Sequence, residues 1–237
     1  MQPVFLHAYW KNLVMINYEV DPGVLLPYLP PKTELDLFNG KCYLSLVGFM
    51  FLETKVWGIK WPFHTNFEEV NLRFYVRYNA GNEWRRGVVF IKEIVPKPII
   101  SIMANNLYNE QYETLRMKNE LRKDANGFHV TYSWKKPGWN AISVSVSGKK
   151  RPLEKNSMEE FITEHYWGYT TKNEKQTYEY AVEHPQWMVH EVMGHKIECD
   201  FKEVYGEKLS FLEKMKPSTV FMADGSEILV RKARIVS

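Results

Sequence analysis

Polar side chains fall on one face of a predicted β-strand, where they could together bind a small organic acid. The odd positions of the segment 67–78, FEEVNLRFYVRY, are Phe67, Glu69, Asn71, Arg73, Tyr75 and Arg77. The even positions are mostly apolar, and this two-residue period predicts a half-buried strand. An arginine fork binds a carboxylate through two parallel hydrogen bonds, and a glutamate beside it could act as a general base or orient the ligand.

This polar row, defined as Glu69, Asn71, Arg73 and Tyr75, has two interpretations. It is either the solvent-exposed face of an edge strand or the lining of a polar pocket. Arg77 continues the row, which favours the solvent face or marks the rim of a pocket. The sequence leaves both interpretations open, and the function depends on which one holds.

A lysine and a glutamate stand side by side in the apolar segment GVVFIKEIVP, residues 87–96. Adjacent strand residues point to opposite faces, so either Lys92 or Glu93 faces inward if both faces are covered. One interpretation is an ion pair with the neighbouring strand, Lys92 with Glu69 or Glu93 with Arg73. The other makes Lys92 a catalytic amine held inside the fold, where it could form a Schiff base.

The segment TEHYWGY, residues 163–169, places His165 among aromatic side chains at a predicted helix end. His165 could contact a ligand at the mouth of a pocket as a proton donor or acceptor. The alternative is a helix C-terminus packed by aromatic rings and capped by Gly168.

Metal and cofactor motifs do not stand out in this sequence. HEVMGH, residues 190–195, has one residue more than the zinc motif H-E-x-x-H, and positions i and i+5 do not share a helix face. We therefore expect no metal site and no cofactor. Cys42 and Cys199 are isolated, which indicates reduced thiols and a cytoplasmic protein.

The sequence shows no repeat, no low-complexity stretch and no linker, which indicates one globular domain over residues 1–237. Aromatic residues make up 15% of the chain, with 8 Trp and 14 Tyr, which suggests a β-rich interior filled by large rings. A net charge of +3 is too small to argue for nucleic acid as a partner. We find no signal peptide and no apolar run long enough for a membrane span, so we expect no membrane partner.

The elements that must position these residues are mostly strands. An Asn39-Gly40 turn predicts a hairpin, and Asp224-Gly225 predicts a second hairpin at the end of the chain. Residues 195–206 alternate and predict a strand. Helices are predicted after Asp21, over 97–112, and from Ser157, which has Glu160 at capping-box spacing.

Six segments resemble the YqjF-like family of uncharacterised bacterial proteins, which is related at a distance to acetoacetate decarboxylase. They are NYEVDPGVLLPYLP, ELDLFNGKCYLSLVGF, FHTNFEEVNLRFYV, RRGVVFIKEIVP, EEFITEHYWGY and VEHPQW. The resemblance implies an α+β fold that is mostly antiparallel β, an open or cone-shaped barrel with a central pocket and a few short helices.

The resemblance also implies where the decarboxylase chemistry would be. In the decarboxylase, a lysine whose pKa is lowered by a second lysine forms a Schiff base with a β-keto acid. Glu110 and Gln111 stand at the approximate place of that pair, and no lysine lies between 97 and 118. We therefore expect this Schiff-base activity to be lost.

The resemblance places the pocket glutamate of the decarboxylase at Glu69, which implies a second catalytic candidate besides Lys92. Tyr108, Glu110 and Arg116, from the segment opposite the polar row, are candidate ligand contacts.

Three functions remain open from the sequence. The first is a protein that binds a small keto or hydroxy acid, and that acts as an enzyme if Glu69 serves as a base. The second is a non-catalytic sensor or carrier with the same ligand contacts. The third is a protein-interaction module whose polar row is plain surface. A homo-oligomer is compatible with all three.

Overall fold

Strands form most of the structure, a computed structural model that describes residues 2–125 and 127–236. The strands within these ranges are β1 (Val4–Val20), β2 (Thr33–Leu35), β3 (Cys42–Val56), β4 (Phe67–Asn79), β5 (Trp84–Val95), β6 (Tyr112–Thr114), β7 (Met117–Asp124), β8 (Gly127–Lys135), β9 (Trp139–Arg151), β10 (Trp167–Asn173), β11 (Gln176–Glu183), β12 (Val189–Glu198), β13 (Thr219–Ala223), β14 (Glu227–Arg231) and β15 (Arg234–Val236). The helices are α1 (Pro22–Leu25), α2 (Pro98–Tyr108), α3 (Met158–Thr163), α4 (Phe201–Tyr205) and the 3-10 turns Leu26–Tyr28 and Glu207–Lys214.

Seven strands form a closed ring in the order β14-β11-β10-β5-β4-β3-β1, and β1 pairs with β14 to close it. From β1 the sheet continues outward through β13, β12, β9, β8 and β7. Neighbouring strands are antiparallel except at β10–β5 and β5–β6, which are parallel. The predicted fold class is confirmed: the chain is mostly β with a few short helices. No helix within the described ranges is long and apolar enough to cross a membrane.

The polar row belongs to β4, which lies between β3 and β5 in the ring. Its even positions Val70, Leu72 and Phe74 are fully buried in one hydrophobic core, together with residues of α4. Its odd positions from Phe67 to Tyr75 lie on the other face, toward the inside of the ring, and are buried too. The solvent-exposed edge strand is therefore ruled out as an account of this row.

The predicted helices at α1, α2 and α3 are present. Asp21 caps α1 by accepting a hydrogen bond from the Gly23 N–H at 2.7 Å. Ser157 caps α3 by accepting one from the Glu160 N–H at 3.1 Å, and the Glu160 side chain bonds back to the Asn156 N–H. Three polar side chains thus start helices where the sequence predicts them.

Several local predictions were wrong. The Asn39-Gly40 turn exists, but the strand before it, β2, pairs with β4 rather than with β3. Gly168 lies inside β10 against Tyr180 instead of capping a helix. The segment 195–206 leaves its strand at Glu198, because the Asp200 side chain accepts a hydrogen bond from the Glu203 N–H and begins α4.

The predicted C-terminal hairpin was also wrong. β13 and β14 do not pair with each other, since both run antiparallel to β1, with Leu13 opposite Ala223 and Tyr9 opposite Glu227. The segment with Asp224 and Gly225 joins β13 to β14 beside an irregularity of β1 between Lys11 and Val14. β13 and β14 thus follow β1 one after the other, and β14 closes the ring.

Gly225 is required at this passage, and its replacement by alanine should destabilise the protein. Its φ is +77°, and an added Cβ would lie 2.1 Å from the Trp10 carbonyl oxygen. We expect Gly225→Ala to lower the free energy of unfolding by about 1–3 kcal/mol in urea denaturation. Gly81→Ala is the matched control, because Gly81 has φ +93° with nothing within 4 Å of its added Cβ. Equal losses in the two variants would contradict a steric role for Gly225.

Candidate functional site

A cavity of about 130 Å³ lies inside the ring. Its size is close to that of a cavity of ~150 Å³ that accepts benzene, so it suits a ligand of roughly six heavy atoms. Most of its wall is apolar, and many of the rings in it come from Phe5, Trp10, Phe49, Phe51, Phe67, Phe90 and Trp187. The polar groups gather on β4, β5 and the segment that follows α2.

Three members of the polar row line this cavity. Glu69, Asn71 and Arg73 are 2%, 1% and 7% exposed. The fourth, Tyr75, does not reach the lining. Its hydroxyl bonds to the Ser45 hydroxyl at 2.7 Å, and its ring packs against His165.

Arg73 is the most unusual of these side chains. Within the described residues it makes no hydrogen bond or ion pair, and its Nε is buried without a partner. Its guanidinium carbon lies 6.0 Å from the centroid of the Tyr75 ring. A buried cation without a partner is costly, so this position is suited to an anion supplied from outside the chain.

Three carboxyl groups share the cavity with Arg73. Glu69 accepts hydrogen bonds from Asn71 Nδ2 at 2.9 Å and from the Tyr112 hydroxyl at 3.2 Å. Glu93 faces the same way because it lies opposite Asn71 on the neighbouring strand. Glu110 follows the left-handed cap of α2.

Glu110 is held by two hydroxyl groups, one from β10 and one from β11. It accepts hydrogen bonds from Thr170 at 2.5 Å and from Tyr180 at 2.8 Å. These bonds fix its carboxyl group at the cavity wall. β10 and β11 thereby position a residue that the sequence places at the end of α2.

Burial is the main influence on the ionisation of these carboxyl groups. It raises the pKa of Glu69 to about 7, although Asn71, Tyr112 and Arg73 oppose the shift. It raises the pKa of Glu110 to about 7, where Thr170 and Tyr180 oppose the shift and the charge of Glu69 adds to it. Burial and then repulsion from Glu110 and Glu69 hold the pKa of Glu93 well above its usual range. The cavity thus contains protonated and ionised carboxyl groups together near neutral pH.

Two histidines complete the polar lining. His165 lies between the rings of Tyr75 and Phe161, and His184 stacks on Trp187 with 4.1 Å between ring centroids. Burial lowers the pKa of each histidine to about 4, so both are neutral at physiological pH. Arg73 is therefore the one cationic side chain among the described residues of the lining.

Lys92 and Arg116 lie outside the cavity, which corrects their place among the candidates. Lys92 pairs with Leu72 in register and so points to the opposite face from Glu93. Its Nζ donates to Glu113 at 2.9 Å and to the Val204 carbonyl at 2.5 Å. Arg116 is exposed, with its guanidinium over Trp139 at 5.8 Å. Strand alternation separates Lys92 from the cavity, and no lysine lines it in the described part of the chain.

Tyr108, Glu110 and His165 do reach the cavity wall. The sequence reasoning missed Tyr112, Tyr180 and His184, which also line it. Tyr180 gave a usable signal, because it lies in the alternating segment QTYEYAVE. His184 has the same parity as Tyr180 but lies just beyond the end of β11, and Tyr112 begins β6, which at three residues is too short to show a period. Within the described residues, no group of three or more His, Cys, Asp or Glu side chains is arranged to hold a metal ion.

The fold is that of acetoacetate-decarboxylase-like proteins. The acetoacetate decarboxylase of Legionella pneumophila subsp. pneumophila str. Philadelphia 1 superposes with a TM-score of 0.66 at 13% identity, over 100% of this chain and 89% of that one. The enduracididine biosynthesis enzyme MppR, solved with pyruvate, gives 0.67 at 12% identity over 100% and 92%. An acetoacetate decarboxylase-like enzyme from Sphingomonas wittichii RW1 gives 0.67 at 11% identity over 99% and 94%.

The chain belongs to the DUF2071 family, described as an uncharacterized conserved protein, whose model matches residues 7–227. It is 27% identical over 187 residues to the uncharacterized protein YqjF of Bacillus subtilis (strain 168), covering 76% of this chain and 73% of that protein. The resemblance to the YqjF-like family is thereby confirmed. At these identities the solved structures show the fold alone.

Proposed function

We propose that this protein binds a small organic acid inside the ring, with the ligand carboxylate on Arg73. One observation carries the proposal: Arg73 is buried and positively charged, and among the described residues it makes no hydrogen bond or salt bridge, although its charge acts on nearby Glu69. The cavity volume suits a ligand of about the size of pyruvate or lactate. The pyruvate complex of MppR, a protein of the same fold, supports this ligand class.

The ionisation of Glu69 favours an enzyme over a passive carrier. A carboxyl group with a pKa of about 7 can both accept and donate a proton at neutral pH, as a general acid-base catalyst requires. Glu69 would take a proton from the carbon next to the ketone carbonyl of a bound keto acid, which leaves the electron pair in an enolate, and would later return the proton. A carrier that only orients its ligand needs no such shift.

A thermal-shift comparison of acids with their amides tests the binding proposal. Pyruvate, lactate and propionate should raise the melting temperature, while pyruvamide, lactamide and propionamide of the same shape should not. The charge of the carboxylate is what Arg73 requires, so equal shifts for acids and amides would overturn the proposal.

Proton exchange separates an enzyme from a carrier. In deuterated water at pH 7, the wild-type protein should accelerate exchange of the methyl protons of pyruvate, followed by NMR, and Glu69→Gln should lose the acceleration. Acids that bind without any accelerated exchange would identify the protein as a sensor or carrier.

Schiff-base chemistry is not part of the proposed mechanism. The described cavity wall has no lysine, and Glu110 stands near the place where the decarboxylase resemblance puts its lysine pair. Incubation with acetoacetate and borohydride should therefore leave the protein mass unchanged relative to a control without acetoacetate. An adduct on any lysine, above all on Lys92, would contradict this expectation.

A further inference from the structure

Asp36 and His165 form a buried pair at the cavity wall. His165 lines the cavity, whereas Asp36 lies behind it and does not. Their contact joins His165 Nε2 to Asp36 Oδ2 at 3.0 Å. The same oxygen accepts a hydrogen bond from Arg86 Nε at 2.6 Å.

This arrangement fixes which nitrogen of His165 carries the proton. Burial works against the charge of Asp36, but the hydrogen bonds from His165 and Arg86 still hold its pKa below the ordinary value. An ionised carboxylate only accepts hydrogen bonds, so His165 Nε2 must donate to it. In the neutral ring, Nδ1 is then a bare acceptor.

Nδ1 has no partner among the described residues although it is buried. Asp36 contacts the Nε2 side of the His165 imidazole. The aromatic rings of Phe161 and Tyr75 restrict rotation of this imidazole, with their centroids 5.1 Å and 4.8 Å from its centroid. A buried acceptor without a donor costs about 1–3 kcal/mol, so a donor from a ligand would stabilise it.

We propose that His165 Nδ1 is a second ligand anchor, which accepts a hydrogen bond from a hydroxyl group of the bound acid. The preferred ligand is then a hydroxy acid, not a keto acid or a plain carboxylic acid. This inference rests on the proposed function, because Arg73 supplies the first anchor.

Charge favours a hydroxyl group over an ammonium group as the donor. Burial disfavours a positive charge on His165, and the charges of Arg86 and Arg73 add to this effect against the attraction of Asp36. An ammonium group buried beside His165 and Arg73 would meet the same cost. The proximity of Arg73 to His165 places the hydroxyl group near the carboxylate, as in a 2-hydroxy or 3-hydroxy acid.

Titration calorimetry with four ligands of similar size tests the inference: lactate, pyruvate, propionate and alanine. Lactate should bind the wild-type protein about tenfold or more tightly than the other three, because only lactate offers a hydroxyl donor without a second cation. In His165→Phe, lactate should fall to the affinity of propionate, while propionate is unchanged. His190→Phe is the matched control, since His190 is also buried but packs against Phe128 outside the cavity.

A measurement on the wild-type protein covers the case in which His165→Phe does not fold. The ¹⁵N resonance of His165 Nδ1 should show an unprotonated nitrogen and should shift on adding lactate but not propionate.

Two failures can be told apart. Acids that bind through Arg73 with no preference for lactate, or with an unmoved Nδ1 resonance, would overturn this inference alone. Failure of every acid to bind would overturn the proposed function and this inference with it.

Discussion

Arg73→Lys weakens the binding of small carboxylic acids by about 2–5 kcal/mol, measured by titration calorimetry or by ligand-induced thermal shift. Lysine keeps the positive charge but loses the planar fork that donates two parallel hydrogen bonds to a carboxylate. Arg73→Met removes the charge as well, so it should abolish acid binding. It should also raise the melting temperature of the ligand-free protein, because the buried unpaired cation is gone.

Arg77→Lys is the matched control for this prediction. Arg77 continues the same row, but it is only partly buried and donates from Nε to Glu34 at 2.6 Å. It should leave acid binding unchanged and alter stability by no more than about 0.5 kcal/mol. An acid that stabilises the wild-type protein and Arg73→Lys equally would show that Arg73 is not the anchor.

Stability should fall as the pH rises from about 5 to 8, because buried carboxyl groups must give up protons. The neutral His165 and His184, whose folded-state pKa is about 4, oppose this fall up to about pH 6.5, where the histidines of the unfolded chain have lost their protons. The folded-state pKa of Glu69 and of Glu110 is raised from 4.5 to about 7, so the folded protein binds more protons than the unfolded chain in this window. The stability that these two groups contribute is fully present below the unfolded-state pKa and is lost as the pH rises through the folded-state pKa. Since one unit of pKa corresponds to ~1.4 kcal/mol, each group contributes about 3 kcal/mol to the free energy of unfolding at low pH. Urea denaturation across this pH range measures the loss.

Glu69→Gln should flatten this pH dependence, because glutamine stays neutral. Glu68→Gln is the matched control: Glu68 is the preceding residue of β4, buried on the opposite face, where it accepts a hydrogen bond from Asn119 Nδ2 at 3.1 Å. It should keep the wild-type pH dependence. A wild-type stability that rises from pH 5 to 8, or a Glu69→Gln profile as steep as the wild type, would contradict the carboxyl cluster.

Much of the fold follows from local sequence signals. The two-residue period of β4 and the caps Asp21 and Ser157 predicted their elements, because backbone direction and orphan N–H groups are settled within a few residues. The C-terminal strand could not be predicted in this way. Asp224-Gly225 has the composition of a hairpin turn, but the long partner β1 accepts both flanking segments, and this choice depends on residues 200 positions away.

The residues of the site were likewise predictable only where a local sequence pattern determines their direction. Alternation predicted that Glu69, Asn71 and Arg73 share a face, but not that the face is buried, since burial depends on the closure between β1 and β14. Alternation also required either Lys92 or Glu93 to face inward. The register between β4 and β5 places Glu93 opposite Asn71, so Glu93 is the residue that faces the cavity. Asp36 gave no signal at all, because it contacts His165 across 129 positions of sequence.

Electron density in crystals grown with the most stabilising hydroxy acid tests the central claim most directly. We predict a carboxylate within hydrogen-bonding distance of the Arg73 guanidinium, between the odd-numbered face of residues 69–73 and the segment 105–116. A ligand bound elsewhere with Arg73 uncontacted, or an ordered acid whose carboxylate points away from Arg73, would contradict the account.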